Sequence, residues 1–115
     1  MLPAVNRMRR SDDFTAVVRS GSRARRGCVV VHHSALAITG TSAPIVGFVV
    51  GKSVGGSVIR HRVARRLRAQ MAQRLDRLPP SSGTVVRALP EAASLESARI
   101  GSDLDAALFR LVGSP

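Results

Sequence analysis

Between Lys52 and Leu78 one helix has to meet two opposed demands. Ile59, Val63, Leu67, Met71, Leu75 and Leu78 recur at close to helical spacing, so one stripe needs a core to cover it. Lys52, Arg60, Arg62, Arg65, Arg66 and Arg68 fall beside that stripe, and no acid occurs from Lys52 to Arg68. Like charges three and four residues apart cost an isolated helix about 0.2–0.5 kcal/mol per pair. A merely solvated face mixes its signs. The stretch therefore calls for a hydrophobic core on one side and a polyanion on the other. Gly55 and Gly56 precede the helix; glycine lets a backbone approach closely, and a helix N-terminus offers free N–H groups to an anion.

The rest of the chain agrees with a polyanionic partner. Eighteen Lys and Arg oppose seven Asp and Glu, a formal charge of +11 that destabilises a compact state unless it is neutralised. Lys52 is the only lysine; arginine's planar fork grips phosphate bidentately. The charge is also uneven. Seven Arg lie between Arg7 and Arg26 against Asp12 and Asp13, whereas Glu91, Glu96, Asp103 and Asp105 outnumber Arg99 and Arg110 after Ala88. A membrane is the other common polyanion, but no apolar run approaches the roughly 20 residues of a span. Arg7, Arg9 and Arg10 break up any signal-like start, and Cys28 has no partner for a disulfide. These features lead us to expect a cytoplasmic protein.

One domain fits 115 residues of which 44% are hydrophobic. Residues 1–10 read as a basic arm. Ser11 is a good N-cap for a helix over 11–19, with Asp12 and Asp13 in its first turn and Phe14, Val17 and Val18 on one face. Ser22–Gly27 is loop or a short edge strand. Cys28–His33 is a strand that Ala35–Thr39 could extend. Gly40–Pro44 is turn material, and Ile45–Val50 is a second strand, which suggests an antiparallel hairpin. Pro79–Gly83 stops the central helix, Thr84–Arg87 is a third short strand, and Ile100, Leu104, Leu108, Leu111 and Val112 mark a last helix from near Ser97. The expected fold is α+β: helices packed on a small mixed sheet, in the order α-β-β-(β)-α-β-α.

Three catalytic or ligand motifs fail on spacing. Gly51-Lys52-Ser53 lacks the four-residue interval of a P-loop, since three apolar residues separate Gly47 from Gly51. His32 and His33 are neighbours on a strand and point to opposite faces, which disfavours joint chelation. Asp12 and Asp13 diverge by about 100° on a helix and do not make a two-metal pair. Cys28 reads as a small buried hydrophobe. No catalytic residue and no protein-bound metal is expected.

The segment from Lys52 to Arg68 resembles the signature of the bacterial ribonuclease P protein family. The match falls at Lys52, Val54, Gly55, Val58, Arg60, Arg62, Val63, Arg65 and Arg68. Arg10-Ser11-Asp12-Asp13-Phe14 resembles the family's opening helix, Val86 to Pro90 the strand after the motif, and Leu95 to Phe109 the closing helix. Departures are His61 for Asn, Ala64 for a basic residue, Ser53 for Lys and Gly56 for Asn.

The resemblance implies a ribosomal-protein-like two-layer sandwich with a left-handed βαβ crossover. It also implies a partnership with a catalytic RNA that uses Mg²⁺ to remove the 5′ leader of precursor tRNA. Lys52, Gly55, Arg60, His61, Arg62, Arg65, Arg66 and Arg68 would then meet the RNA. Phe14 matches the family's leader cleft; Val18 and Val31 fall where relatives often carry aromatics. Phe48 and Phe109 read as core. A structural rRNA-binding or ribosome-assembly protein would explain the charge and fold, though not the Arg60-to-Arg68 spacing joined to the Phe14 helix. A DNA-binding regulator would expose more Asn, Gln or Ser among its arginines, so no DNA partner is expected.

Overall fold

A computed structural model describes residues 2–35 and 42–113. Helix α1 spans Ser11–Ser20 and is followed by strands β1, Ser22–Arg26, and β2, Val29–Ser34. Strand β3 covers Ile45–Val49, helix α2 Ser57–Ala72, strand β4 Gly83–Ala88 and helix α3 Ser97–Val112. The Ser22–Gly27 stretch is thus an edge strand. Beyond Ser34, the expected extension over 36–39 and the first part of the expected turn, 40–41, lie outside the described residues.

The sheet order is β1-β2-β4-β3, with β3 and β4 parallel and the other pairs antiparallel. The expected β2–β3 hairpin does not form, because β4 lies between them. Thr84, Val85 and Val86 are buried, and a strand covered on both faces belongs in the middle of a sheet. The long connection between Ser34 and Ile45 leaves room for that insertion; a two-residue turn would have forced direct pairing. Helix α2 joins the parallel pair β3 and β4.

Alternation along β4 separates two cores. Val86 points to the face covered by α2 and α3, where Val29, Val31, Val63, Leu67, Met71, Ile100, Leu104 and Leu108 pack. Val85 points the other way, toward α1, with Val17, Ile45 and Met8. The small α+β domain is as expected, and α1 adds a partial layer on the second face of the sheet. Leu75 follows α2 in a 3₁₀ turn, Leu75–Arg77, and Leu78 is buried just beyond it.

Two local features differ from expectation. Helix α1 is capped by Arg10, whose carbonyl accepts from Asp13 and Phe14 N–H at 3.0 and 3.3 Å, so Ser11 is already helical and caps nothing. The basic N-terminal arm is fastened along β3. Leu2 is buried in the main core, the Asn6 side chain donates to the Pro44 carbonyl at 2.8 Å, and Met8 N–H donates to Val46 at 3.0 Å.

Candidate nucleic-acid interface

Helix α2 sorts its cations by angle. At about 100° per residue, burial of Val63, Leu67 and Met71 turns Arg62 and Arg65 away from the core. His61 and Arg68 fall on the flank toward β3, and Arg66 on the flank toward α3. His61, Arg62, Arg65 and Arg68 are exposed, and so is Lys52 in the 3₁₀ turn Lys52–Val54 before the helix. Arg66 departs from the expected ridge. It is half-buried, and its Nη1 donates to the Leu95 carbonyl at 2.8 Å, bracing α2 against the turn that leads into α3.

The entrance to α2 depends on Gly55, whose φ of +153° is one that side-chain-bearing residues rarely adopt. A Cβ there would lie 2.9 Å from the Ile59 side chain. Gly56 then caps the helix without a side-chain hydrogen bond, leaving first-turn N–H groups for an outside acceptor.

Acids neutralise the other end of the molecule. Arg74 and Arg77 both reach Asp105, at 2.7 and 3.1 Å, and Arg99 reaches Asp103 at 3.3 Å. The hydrogen bond from Arg74 is the main cause holding the Asp105 carboxyl below its ordinary pKa. Among the described residues, no ion pair involves Lys52 or any arginine from Arg60 to Arg68. Two grooves flank this basic surface near β3. One is lined by Phe48, Val50, Ser57, Arg60, His61, Ala64 and Arg68; the other includes Arg7, Arg9, Phe14, Phe48 and Arg68.

A second surface lies between α1 and the sheet. Phe14, Thr15, Val18, Arg19, Val49 and Arg87 line a groove of about 260 Å³. Phe14 and Val18 of the expected cleft are therefore together, with Val18 38% exposed. Val31 is not with them. It is fully buried on the opposite face, among the residues under α2 and α3, and offers nothing to a ligand. The residue facing α1 is its neighbour Val30, paired with Arg87 on β4 and Arg25 on β1. Arg23 pairs with His32 on the same face. Arg19, Arg23, Arg25 and Arg87 were missed from the sequence; the period-two alternation of β1 and β4 was the signal that could have found them.

The remaining candidates take structural places, except that Phe109, expected in the core, is 60% exposed on α3. Asp12 is exposed while Asp13 is buried, so the two carboxylates do not converge. His33 Nδ1 is 3.0 Å from Thr84 Oγ1, and His32 lies on the other face. Among the described residues, no group of three or more His, Cys, Asp or Glu could hold a metal. Burial, with help from Asp103, pushes the Cys28 thiol up to about 12, so it is no thiolate nucleophile. Among the described residues, no helix is long and apolar enough to cross a membrane.

The ribonuclease P family model matches residues 2–112. The chain belongs to the ribonuclease P protein family. Ribonuclease P protein components from Streptomyces bikiniensis and Mycobacterium sp. (strain KMS) are 51% and 49% identical to it. Those alignments cover 98% and 96% of this chain and 97% and 92% of the relatives. The fold is shared with more distant solved structures. The RNase P protein of Staphylococcus aureus superposes with a TM-score of 0.80 at 19% identity, covering 95% of this chain and 98% of the other. That of Thermotoga maritima gives 0.74 at 17% identity, covering 95% and 99%. As a ribonuclease P protein, the chain is an accessory subunit that works with the ribonuclease P RNA.

Proposed function

We propose that the exposed side of α2 holds the catalytic RNA, while the groove under α1 holds the 5′ leader of precursor tRNA. The ribonucleoprotein cleaves that leader from the precursor to make the mature tRNA 5′ end. Bond breaking and the Mg²⁺ that assists it belong to the RNA subunit. The protein supplies affinity and position, in the cytoplasm, without a membrane or DNA partner.

One observation carries this reading: His61, Arg62, Arg65 and Arg68 form a continuous exposed sweep free of acid. Phosphates that meet it remove the like-charge repulsion and gain charge-assisted hydrogen bonds. Lys52, Arg60 and the Gly55 turn extend the sweep to the helix entrance, where first-turn N–H groups can donate to a phosphate. Arg66 contributes mainly by bracing the helix. In the leader groove Phe14 and Val18 give an apolar floor, and Arg19 and Arg87 can meet phosphates.

Reconstitution tests the whole. The purified chain, the catalytic RNA and precursor tRNA are mixed at low Mg²⁺, and cleavage should require both macromolecular subunits. Arg62→Glu with Arg65→Glu should weaken assembly by about tenfold or more while leaving the fold intact. Unchanged affinity for the catalytic RNA would remove α2 from the interface.

A further inference from the structure

We propose that the groove between β3 and the first half of α2 is a pocket for one unpaired RNA nucleotide. Its base stacks on Phe48 and its phosphate is held by Arg60 and Arg68. The proposal rests on the RNA-binding reading above and adds to it a residue and a class of ligand.

Phe48 points to the α2 face of β3, the outer strand of the sheet, and is only half-buried. A phenylalanine needed solely for packing would be closed over. This one packs one side on the core and borders both grooves near β3. Arg68 also borders both. Neither lining contains an acid, and Arg60 Nε, itself buried, has no hydrogen-bond partner among the described residues.

These groups select a ligand. A phosphate alone has no use for Phe48 and Val50. A double helix shows phosphates and groove edges and keeps its bases stacked, so an aromatic face gains nothing from it. A nucleotide turned out of its helix presents a flat base and an anion together. The groove holds about 280 Å³, near the lower limit of ligand-sized clefts, which suits one such group and not a strand. His61 on the same wall can donate to a base edge or accept from it.

The test uses the full chain with single-stranded hexaadenylate as probe, followed by amide NMR. Saturable shifts at Phe48–Val50, absent with a six-base-pair RNA duplex, support the pocket; shifts at Ser57–Ala64 are expected with either probe because the ridge meets phosphates. Equal shifts at Phe48–Val50 with the duplex or with inorganic phosphate overturn it. Phe48→Leu should weaken hexaadenylate binding by about tenfold, and Phe48→Tyr, which keeps a ring, should not.

Assembly assays then identify the source. Weaker binding of Phe48→Leu to the catalytic RNA assigns the nucleotide to that RNA; weaker binding of precursor tRNA by the assembled complex assigns it to the substrate. Loss in neither assay, with Leu and Tyr equal, sinks the pocket. The ridge would survive that result if Arg62→Glu with Arg65→Glu still impaired assembly. If Phe48→Leu fails to fold, the probe mapping and Phe48→Tyr decide alone.

Discussion

Asp103 sits on α3 yet fastens the turn between β1 and β2. Its Oδ2 accepts from Cys28 N–H at 2.9 Å, and Gly27, with φ of +54°, lies against the carboxylate. A Cβ at Gly27 would overlap that carboxylate. Gly27→Ala should therefore lower unfolding free energy by about 1–3 kcal/mol from backbone strain alone, measured by urea denaturation. Burial would raise the Asp103 pKa, but hydrogen bonds from Cys28 and Arg99 outweigh it and hold the carboxyl below 3.8. Its stabilisation is present above 3.8 and is lost as pH falls through the depressed value. The histidines act in a higher window. Burial lowers both His32 and His33 below 6.5, with Arg87 and Arg23 adding to the effect at His32. Between the lowered folded values and 6.5 the unfolded chain binds more protons, so stability should be level above pH 6.5 and fall as pH drops below it. Urea midpoints at pH 7.5, 6.5 and 5.5 check this. A profile flat to pH 5.5 would contradict the burial of these rings.

Helix α2 carries structural and exposed arginines one residue apart. Arg66→Ala removes the bond to Leu95 and should cost about 1.5–3 kcal/mol of stability, whereas Arg62→Ala should stay within about 0.5 kcal/mol. Equal thermal shifts for the two would argue against the brace. Sequence alone could not make this distinction. Arg62, Arg65 and Arg66 all avoid the apolar stripe, but only the path of the chain around Leu95 decides which of them finds a carbonyl. The stripe itself was legible, because Val63, Leu67 and Met71 obey a 3.6 period set by local geometry. Strand pairing was not. Nothing in β2 or β3 announces that β4, more than thirty residues after β3, will separate them; burial of β4 on both faces decides it. The cleft residue Val31 failed for a related reason. Val29-Val30-Val31 shows no alternation between apolar and polar, so the run gives no hint of which valines face α1. Phe48 reads as core by type and spacing, and only its place at the sheet edge leaves part of its ring available.

At the scale of the molecule, the acids of α3 lie where α2 ends, and the first half of α2 is left unneutralised. Arg74, Arg77 and Arg99 spend their charge internally on Asp105 and Asp103, so they add little to attraction for RNA. Those pairs hold three cations against two acids, so nearly all of the formal +11 lies elsewhere on the chain. The cations outside those pairs gather in patches, among them Lys52 and Arg60 to Arg68 on one side and Arg19, Arg23, Arg25 and Arg87 around the groove under α1 on another. This division makes a quantitative prediction. Each phosphate contacted releases condensed counterions, so affinity for the catalytic RNA should fall linearly on a log–log plot against salt. With about four to six cations engaged, the slope should be on the order of −3 to −5. Arg62→Ala should make it shallower by about one unit. Asp105→Ala frees two arginines far from the ridge and should leave the slope unchanged, though it costs stability. A slope near −10 would mean that the whole charge of the chain meets RNA, and a flat response would mean that phosphates are not what α2 holds.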